Sequence, residues 1–462
     1  MTNAKDRRLP GLEPLGQMPD WLARLDDDAE VQAALVEAID GVQGAKLSGV
    51  RLKRAGWTAR CTIALDGEEG AKHLAATIVP PGGNEPSLPA ASGRPGSEGW
   101  RCWVPRLRLE LTSAEPEAKL AALALLTDPE AARALLEEAI RAGTPAYRDM
   151  RIISAAPQVM RYSPGSRCTV LYRLELPEGE NAPDIVVAKT YHRADKGRIA
   201  WDGMRRLWQS PLARSDVVTI AEPLAWLPEE KILVQGPIAE SRTLKELLLT
   251  TFAEGSETSA ELRGYLAKTA EGLAELHQSG ATSGVRATWE EELDEVREVL
   301  GRLTSTLPSL DGVADPWLEH LEHLAEETPE DPLVAAHRSF RPAQVLLHGD
   351  GIGFIDFDGF CRAEPALDIA LFRATARDLA MSVLSPGAPL EDRLGAADDL
   401  CEYFLACYEK FAPISRTRVA LWEALDLFTN VLHSWTKVKP ARLSHALALL
   451  QHHHGRIRAL TN

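Results

Sequence analysis

The sequence lacks several features that would quickly assign it to a class of protein. It has no apolar run of the 18 or more residues that a membrane-spanning helix needs, and its N-terminal stretch, MTNAKDRRLPGLEPL, has no apolar signal core. Its six cysteines form no CxxC pair, so neither a zinc site nor a disulfide framework is predicted. A net charge of −16 argues against binding to nucleic-acid phosphates. These absences predict a cytoplasmic protein with reduced thiols that binds neither membranes nor nucleic acids.

The 462 residues are enough for two or three domains. Residues 1–145 mix helix and strand patterns and form the predicted N-terminal α/β module. Residues 146–240 alternate short strands around one helix, and residues 241–462 are mainly helical. Between the first two parts, Asp128-Pro129 begins a helix that Gly143 ends, and the following Thr144-Pro145 marks a boundary.

Two segments of the chain resemble one another. RAGWTARCT at Arg54–Thr62 aligns with RYSPGSRCT at Arg161–Thr169, and a strand pair follows each. Residues 40–143 are therefore interpreted as a degenerate copy of the β-rich part that follows. Chance similarity between two β segments is the alternative.

The most informative stretch runs from His337 to Asp368. Two short apolar strands, at residues 344–348 and 352–355, flank a tight turn that contains Gly349. The second strand ends on Asp356-Phe357-Asp358, and a helix follows with Asp368 in its first turn. Strands hold such polar end groups firmly, which suits a site for a metal and phosphates.

This layout resembles the aminoglycoside phosphotransferase and choline kinase family, which has a protein-kinase-like fold. His337 and Asp356 match the family's His-Gly-Asp histidine and its later magnesium-binding Asp. Ser339 stands where the family has the Asp that receives the substrate's hydroxyl proton, and Gln344 stands where it has an Asn. His348-Gly349-Asp350 also has the His-Gly-Asp sequence, but it lies too close to Asp356 for a hairpin to fit between them. This triplet is therefore predicted to be a turn.

The resemblance implies an α+β chain with a two-lobed protein-kinase-like fold and an additional N-terminal module. Residues 146–240 would be the small β-rich lobe, and residues 241–462 the helical large lobe. The strand IVVAKTY and the helices that contain LAELH and PALD support it. Asp368, in PALD, would brace the catalytic loop through His337.

The predicted cofactor-binding residues lie in the small lobe. Lys189 sits inside an apolar strand, where a lysine is rare unless it is paired or binds phosphate; an edge-strand lysine facing water is the alternative. Gly165 and Ser166 form a turn that could close over a nucleotide, or an ordinary hairpin turn. Asp202 is the predicted carboxylate partner of Lys189.

The predicted metal and catalytic residues lie in the large lobe. Asp356 and Gln344 would hold Mg²⁺, because carboxylate and amide oxygens suit this ion. Asp358 should face the same side as Asp356 if the strand continues, as a second ligand or a substitute base. Ser339 and His337 complete the predicted catalytic set.

The resemblance implies an ATP- and Mg²⁺-dependent phosphotransferase that acts on a small hydroxylated molecule or a peptide. The alternative is a catalytically impaired pseudokinase that binds nucleotide or a protein partner, because neutral Ser339 cannot accept a proton as a carboxylate does. The three consecutive histidines 452–454 are predicted to lie on a solvated helix end, since neighbouring residues of a helix point in different directions.

Overall fold

The computed structural model describes residues 11–67, 70–86, 94–113, 122–163, 167–254, 259–383 and 390–461. It contains helices and sheets in separate regions, so the predicted α+β class is confirmed. Its internal contacts divide the chain into two compact units. Unit 1 comprises Met1–Pro116, Trp289–Pro329 and Glu423–Asn462, and unit 2 comprises Glu117–Thr288 and Glu330–Trp422. Within the described ranges, no helix is long and apolar enough to cross a membrane.

The strands are β1 (Val42–Lys53), β2 (Gly56–Leu65), β3 (Ala71–Ile78), β4 (Arg101–Val104), β5 (Leu109–Ser113), β6 (Ser154–Ser163), β7 (Arg167–Glu175), β8 (Ile185–Tyr191), β9 (Val218–Ile220), β10 (Pro223–Leu227), β11 (Ile232–Gln235), β12 (Arg242–Thr243), β13 (Arg286–Ala287), β14 (Val334–Ala336), β15 (Val345–His348), β16 (Gly351–Phe354) and β17 (Cys361–Ala363). The helices are α1 (Asp20–Ala23), α2 (Asp28–Ala38), α3 (Leu123–Thr127), α4 (Pro129–Gly143), α5 (Ala194–Trp208), α6 (Leu244–Glu254), α7 (Ala260–Gln278), α8 (Trp289–Thr306), α9 (Asp315–Glu327), α10 (Pro365–Val383), α11 (Leu390–Tyr408), α12 (Arg416–Thr436) and α13 (Pro440–Thr461).

Unit 1 is built on an antiparallel sheet with the strand order β1-β2-β3-β5-β4. Side chains of β2 alternate between a buried face and an open face, which is the period of a strand with one face in the core. Trp57 is buried on the core face and donates its indole N–H to the Thr306 hydroxyl at 3.2 Å, at the end of α8. The 289–329 segment therefore completes the core of a sheet that lies far away in the sequence.

Unit 2 contains a second antiparallel sheet, in the order β10-β11-β8-β7-β6. Helix α4 begins where predicted, with the Asp128 carboxylate accepting the N–H of Ala131 at 2.8 Å. Leu136 and Ile140 of this helix share one hydrophobic core with Tyr172 of β7. The predicted boundary at residue 145 is therefore corrected, because α3 and α4 pack on the second sheet rather than the first.

The same contacts correct the other predicted boundaries. Residues 241–462 do not form one lobe, since the 289–329 and 423–462 segments group with the N-terminal sheet. The observed units are discontinuous in sequence because their cores are completed by helices from the C-terminal half.

The two five-stranded sheets have the same topology. Each consists of three sequential strands followed by a hairpin whose second strand pairs with the third strand of the sheet. In the first sheet Thr62 lies opposite His73, and in the second Thr169 lies opposite Lys189. This correspondence supports the hypothesis of a degenerate repeat, with His73 at the position of Lys189.

The segment between residues 218 and 227 forms two strands that belong to different sheets. β9 pairs in parallel with β16, in a sheet of order β12-β15-β16-β9, whereas β10 pairs with β11. After β8 the chain thus leaves the β10-β11-β8-β7-β6 sheet, and β9 pairs with the hairpin formed by β15 and β16. The remaining sheet has the order β13-β17-β14.

Two further predictions concern cysteines and histidines. All six cysteines are buried and free, and the reduced state of their thiols stays a prediction. The prediction of a solvated end for the three histidines is wrong, since His453 and His454 are 2% and 4% exposed. The His453 Nδ1 atom lies 3.6 Å from the Glu423 carboxylate, and the His454 ring packs against Trp317. Helix α13 turns these two side chains towards the core of unit 1.

We predict that replacing Trp57 with Ala destabilises the protein by about 3–5 kcal/mol, because it empties a fully buried indole site. Trp103→Ala is the matched control, since Trp103 lies on β4 and is only partly buried. Urea denaturation should show a much smaller loss for the control. Equal losses for the two variants would contradict the packing of Trp57 in the core of unit 1.

Candidate active site

The hairpin β15–β16 positions the candidate site in unit 2. Gly349 takes the left-handed conformation, with φ +53°, in the turn between the strands. Gly349 and Asp350 form the turn, as predicted, while His348 is the last residue of β15 and pairs with Gly351. Strand β16 ends at Phe354, Asp356 has φ 72° and ψ 48°, and the next three residues form a 3₁₀ turn. The expected strand geometry for Asp358 is thus wrong, because the left-handed residue redirects the chain.

The structure brings together Lys189 and both carboxylates of this turn. Lys189 Nζ lies 3.1 Å from Asp356 Oδ1 and 3.3 Å from Asp358 Oδ1. The lysine side chain is 14% exposed and each carboxylate side chain 24%. The predicted partner Asp202 is corrected: it is partly buried on α5, and no ion pair joins these two described residues. Asp356 and Asp358 neutralise the lysine instead.

Two residues of the site were missed by the sequence analysis. The Tyr191 hydroxyl donates to Asp358 Oδ1 at 3.0 Å, and Arg167 Nη1 lies 3.6 Å from Asp358 Oδ2. Tyr191 follows Lys189 by two positions on β8, so it faces the same side of the sheet, and Arg167 is its cross-strand partner. The two-residue period of a strand could have indicated that Tyr191 faces the same side as Lys189. The pairing of Arg167 with Tyr191 depends on the register between β7 and β8, which the sequence does not show.

The electrostatics of the site follow from this pairing. Burial alone would lower the pKa of Lys189, but the charges of Asp358 and Asp356 outweigh it and raise that pKa above its usual value. For Asp356, burial would raise the pKa, and the charge of Lys189 lowers it instead. Burial and the charge of Asp358 together raise the pKa of Tyr191. The lysine and Asp356 are therefore both charged at neutral pH.

His337 and Ser339 form a second group in the loop before β15. The His337 ring is fully buried, and its Nε2 atom lies 2.9 Å from the Ile355 carbonyl oxygen. A carbonyl oxygen can only accept a hydrogen bond, so Nε2 carries the proton and Nδ1 is the free acceptor. The Ser339 hydroxyl, 3.1 Å away, therefore donates to Nδ1. Burial lowers the pKa of His337, which keeps the ring neutral.

Asp368 holds this loop in place. Its Oδ2 atom accepts the backbone N–H of His337 at 2.6 Å and lies 3.3 Å from His277 Nε2, while His277 Nδ1 lies 2.7 Å from the Tyr408 hydroxyl. All these contacts are buried, where charge-assisted hydrogen bonds are strong. The predicted bracing of the loop by Asp368 is confirmed, although the backbone of His337 makes the bond.

The comparisons with known proteins agree with this geometry. Residues 205–405 match the phosphotransferase enzyme family. The resemblance expected from the sequence is confirmed over this segment, which contains the hairpin, the His337–Ser339 loop and α10 but not Lys189. The matched segment begins within α5, so strands β6, β7 and β8 lie outside it. No curated protein matches the sequence.

Several solved structures are similar to the chain in backbone path. A choline/ethanolamine kinase family protein from Mesorhizobium loti has 16% identity and a TM-score of 0.44, with 65% of this chain and 92% of that chain covered. A choline kinase from Cryptosporidium parvum Iowa II has 14% identity and a TM-score of 0.49, with 70% and 96% covered. A glucosamine kinase in complex with glucosamine, ADP and inorganic phosphate has 13% identity and a TM-score of 0.49, with 84% and 92% covered.

Within the phosphotransferase-family segment, Gln344 and Asp356 fit a hard cation such as Mg²⁺. The Gln344 Oε1 atom is buried and accepts no hydrogen bond from the described residues. The backbone carbonyl of Gln344 accepts the N–H of Ile355, the residue that precedes Asp356. No cluster of three or more His, Cys, Asp or Glu side chains that could hold a metal occurs among those residues. Mg²⁺ does not require one, since it uses one or two carboxylates together with substrate phosphates.

Two predicted residues, Gly165 and Ser166, remain to be considered. Gly165 and Ser166 lie outside the residues that the structure describes, so their roles stay predictions. Arg167, the first residue of β7, is described and directs its guanidinium towards Asp358.

We predict that Lys189→Met lowers the free energy of unfolding at neutral pH by about 1–3 kcal/mol, because two partly buried carboxylates lose their shared cation. The pKa of Asp356 is lowered from its ordinary 3.8, so the stability it contributes exists above that value and is lost as pH falls through the lowered pKa. The difference between wild type and variant should therefore shrink in acid. Chemical denaturation of the wild type and the variant at neutral and at acidic pH measures this difference in the free energy of unfolding.

Lys196→Met is the matched control, since Lys196 lies exposed at the start of α5. It should change the free energy of unfolding by less than about 0.5 kcal/mol at either pH. A pH-independent loss for Lys189→Met would show that packing, rather than the ion pair, is responsible.

Proposed function

We propose that this protein is a cytoplasmic, ATP- and Mg²⁺-dependent phosphotransferase that transfers a phosphoryl group to a hydroxyl of a small molecule or a peptide. The family match over residues 205–405 supports the reaction class. The observation that carries the proposal is the meeting of Lys189 with Asp356 and Asp358. A buried ammonium between two carboxylates offers charges of both signs to a nucleotide and its metal.

Lys189 pairs with the Asp356 and Asp358 carboxylates in the structure, so a nucleotide and its metal would have to replace these ion pairs. Phosphates would replace the carboxylates around Lys189, and Mg²⁺ would replace the lysine beside Asp356. Each exchange alone leaves a buried charge without its partner, which is unfavourable. We therefore infer that nucleotide and metal bind together, with Gln344 Oε1 as a further metal ligand and Gly165 and Ser166 closing over the phosphates.

A nucleotide-binding pseudokinase is the second candidate, because of Ser339. A carboxylate that removes the acceptor's proton contributes about 10²–10⁴-fold to the rate, and a hydroxyl does not act as such a base by itself. Phosphoryl transfer relies mainly on positioning and electrostatics, so loss of the carboxylate slows transfer without abolishing it. Ser339→Asp distinguishes the two, since it should raise ATP turnover if only the base is missing.

The proposal predicts that ATP with Mg²⁺ raises the thermal unfolding temperature of the wild-type protein. A ligand at a hundred times its Kd stabilises the folded state by about 2.7 kcal/mol. ATP with a chelator should give a much smaller shift, because the carboxylates then keep Lys189. Lys189→Ala and Asp356→Ala should remove the shift, as measured by differential scanning fluorimetry.

Lys196→Ala and Asp350→Ala are the controls. Both residues are exposed, at the start of α5 and in the β15–β16 turn, and both variants should keep the wild-type shift. Absence of any shift in the wild-type protein would overturn both nucleotide-binding candidates. A shift without ATP turnover on a panel of hydroxylated acceptors would favour the pseudokinase.

A further inference from the structure

Ser339 and His337 have the arrangement of an activated nucleophile and its base. A serine becomes nucleophilic when a nearby base accepts its proton and a third group orients that base, with hydrogen bonds of about 2.6–3.2 Å. Here the Ser339 hydroxyl lies 3.1 Å from His337 Nδ1, and the Ile355 carbonyl fixes the other ring nitrogen at 2.9 Å. The ring also contacts the aromatic side chains of Phe340 and Phe357.

The backbone of the loop is strained in a way that creates this contact. Arg338, between the two residues, has φ 63°, which costs a non-glycine residue about 1–2 kcal/mol. The left-handed residue turns the chain back, so that the Ser339 side chain reaches the His337 ring two positions earlier. The bond from the His337 N–H to the buried Asp368 carboxylate holds the loop in this conformation.

The same hydroxyl lies beside the turn that carries the two carboxylates. A Cβ atom placed on Gly359 would lie 3.2 Å from the His337 carbonyl oxygen and 3.8 Å from Ser339 Oγ. The 3₁₀ turn of Asp358 is thus in direct contact with the Ser339 loop, and its carboxylate binds Lys189. Ser339 is only partly buried, so this position of the loop keeps some exposure to solvent.

We propose that Ser339 is itself a phosphoryl acceptor, so that the protein phosphorylates its own active-site loop with a nucleoside triphosphate. This inference rests on the proposed function, because it uses the same nucleotide site. Ser339 Oγ forms a bond to the γ-phosphorus, and the bond from that phosphorus to the β-phosphate's bridging oxygen breaks. The nucleoside diphosphate leaves with that oxygen. The hydroxyl proton moves to His337 Nδ1, and the resulting imidazolium releases a proton to water.

In this arrangement the Ser339 hydroxyl has a role of its own, so the replacement of the family's Asp by Ser is more than the loss of a base. A phosphotransferase aligns an acceptor hydroxyl with the γ-phosphate and removes its proton. Ser339 supplies a hydroxyl from the protein, and His337 supplies the neutral acceptor that the missing carboxylate would otherwise provide. The product is a phosphoserine in the loop next to the 3₁₀ turn, whose Asp358 carboxylate binds Lys189.

The test uses the full-length protein, first treated with a phosphatase to remove any phosphate acquired during expression. It is then incubated with Mg²⁺ and ATP labelled at either the γ- or the α-phosphorus. We expect label only from the γ-position, up to one group per chain, at an initial rate per chain that does not depend on protein concentration. Peptide fragmentation by mass spectrometry should locate the phosphate on Ser339.

Ser339→Ala should lose all labelling, whereas Ser283→Ala should keep the wild-type rate. Ser283 is also partly buried in unit 2, but its hydroxyl donates to the Phe360 carbonyl rather than to a histidine. His337→Gln should slow labelling by about 10²–10⁴-fold, the contribution of a general base. Its urea denaturation curve shows whether the variant still folds, and Ser339→Ala carries the test if it does not.

The outcomes separate this inference from the proposed function. A thermal shift with MgATP but no labelling, labelling of another residue, or full labelling of Ser339→Ala would overturn self-phosphorylation alone. Absence of both the thermal shift and the label would overturn the nucleotide site as well. Label on Ser339 in the wild-type protein, absent from Ser339→Ala, would confirm the inference.

Discussion

The ion pair of Lys189 with Asp356 and Asp358 is the interaction on which the candidate site depends. It joins the middle strand of the small antiparallel sheet to the turn that follows the hairpin. Neither the lysine nor the carboxylates would be stable as charged groups alone at these partly buried positions, because an ammonium or a carboxylate that leaves water needs a partner. The pair therefore fixes the sheet and the hairpin relative to each other within unit 2, and it holds the charges that a nucleotide and its metal would use.

A second layer of buried polar contacts supports this centre. Asp368 binds the His337 backbone and His277, and the Tyr408 hydroxyl of α11 hydrogen-bonds to His277 in turn. Farther along, the Glu364 carboxylate binds the buried Arg418 guanidinium and accepts the Trp422 N–H at 3.0 Å. Buried polar contacts of this kind favour one conformation over others. Here they hold a strained loop, so the position of Ser339 is set by the large helices rather than by the loop's own preferences.

The two similar sheets show how one architecture can serve different purposes. Both have the same strand order, and a buried cysteine, Cys61 or Cys168, precedes the corresponding threonine in each. In the second sheet Lys189 faces Thr169 and binds carboxylates of the hairpin. In the first, His73 faces Thr62, and the two side chains contact each other at 3.2 Å. Lys189 of the second sheet therefore contributes to the candidate site, whereas His73 contacts a neighbour within its own sheet.

The sequence alone determined the local elements and the types of side chain at the site. Apolar alternation predicted the strands, Asp128-Pro129 and Gly143 predicted α4, and the apolar setting of Lys189 and Asp356 marked both as residues in need of partners. Only the tertiary structure decided which groups meet, because pairing depends on register and on turns that local patterns do not encode. The left-handed Asp356 brought Asp358 to Lys189, the left-handed Arg338 brought Ser339 to His337, and long-range packing assigned residues 289–329 to the N-terminal sheet.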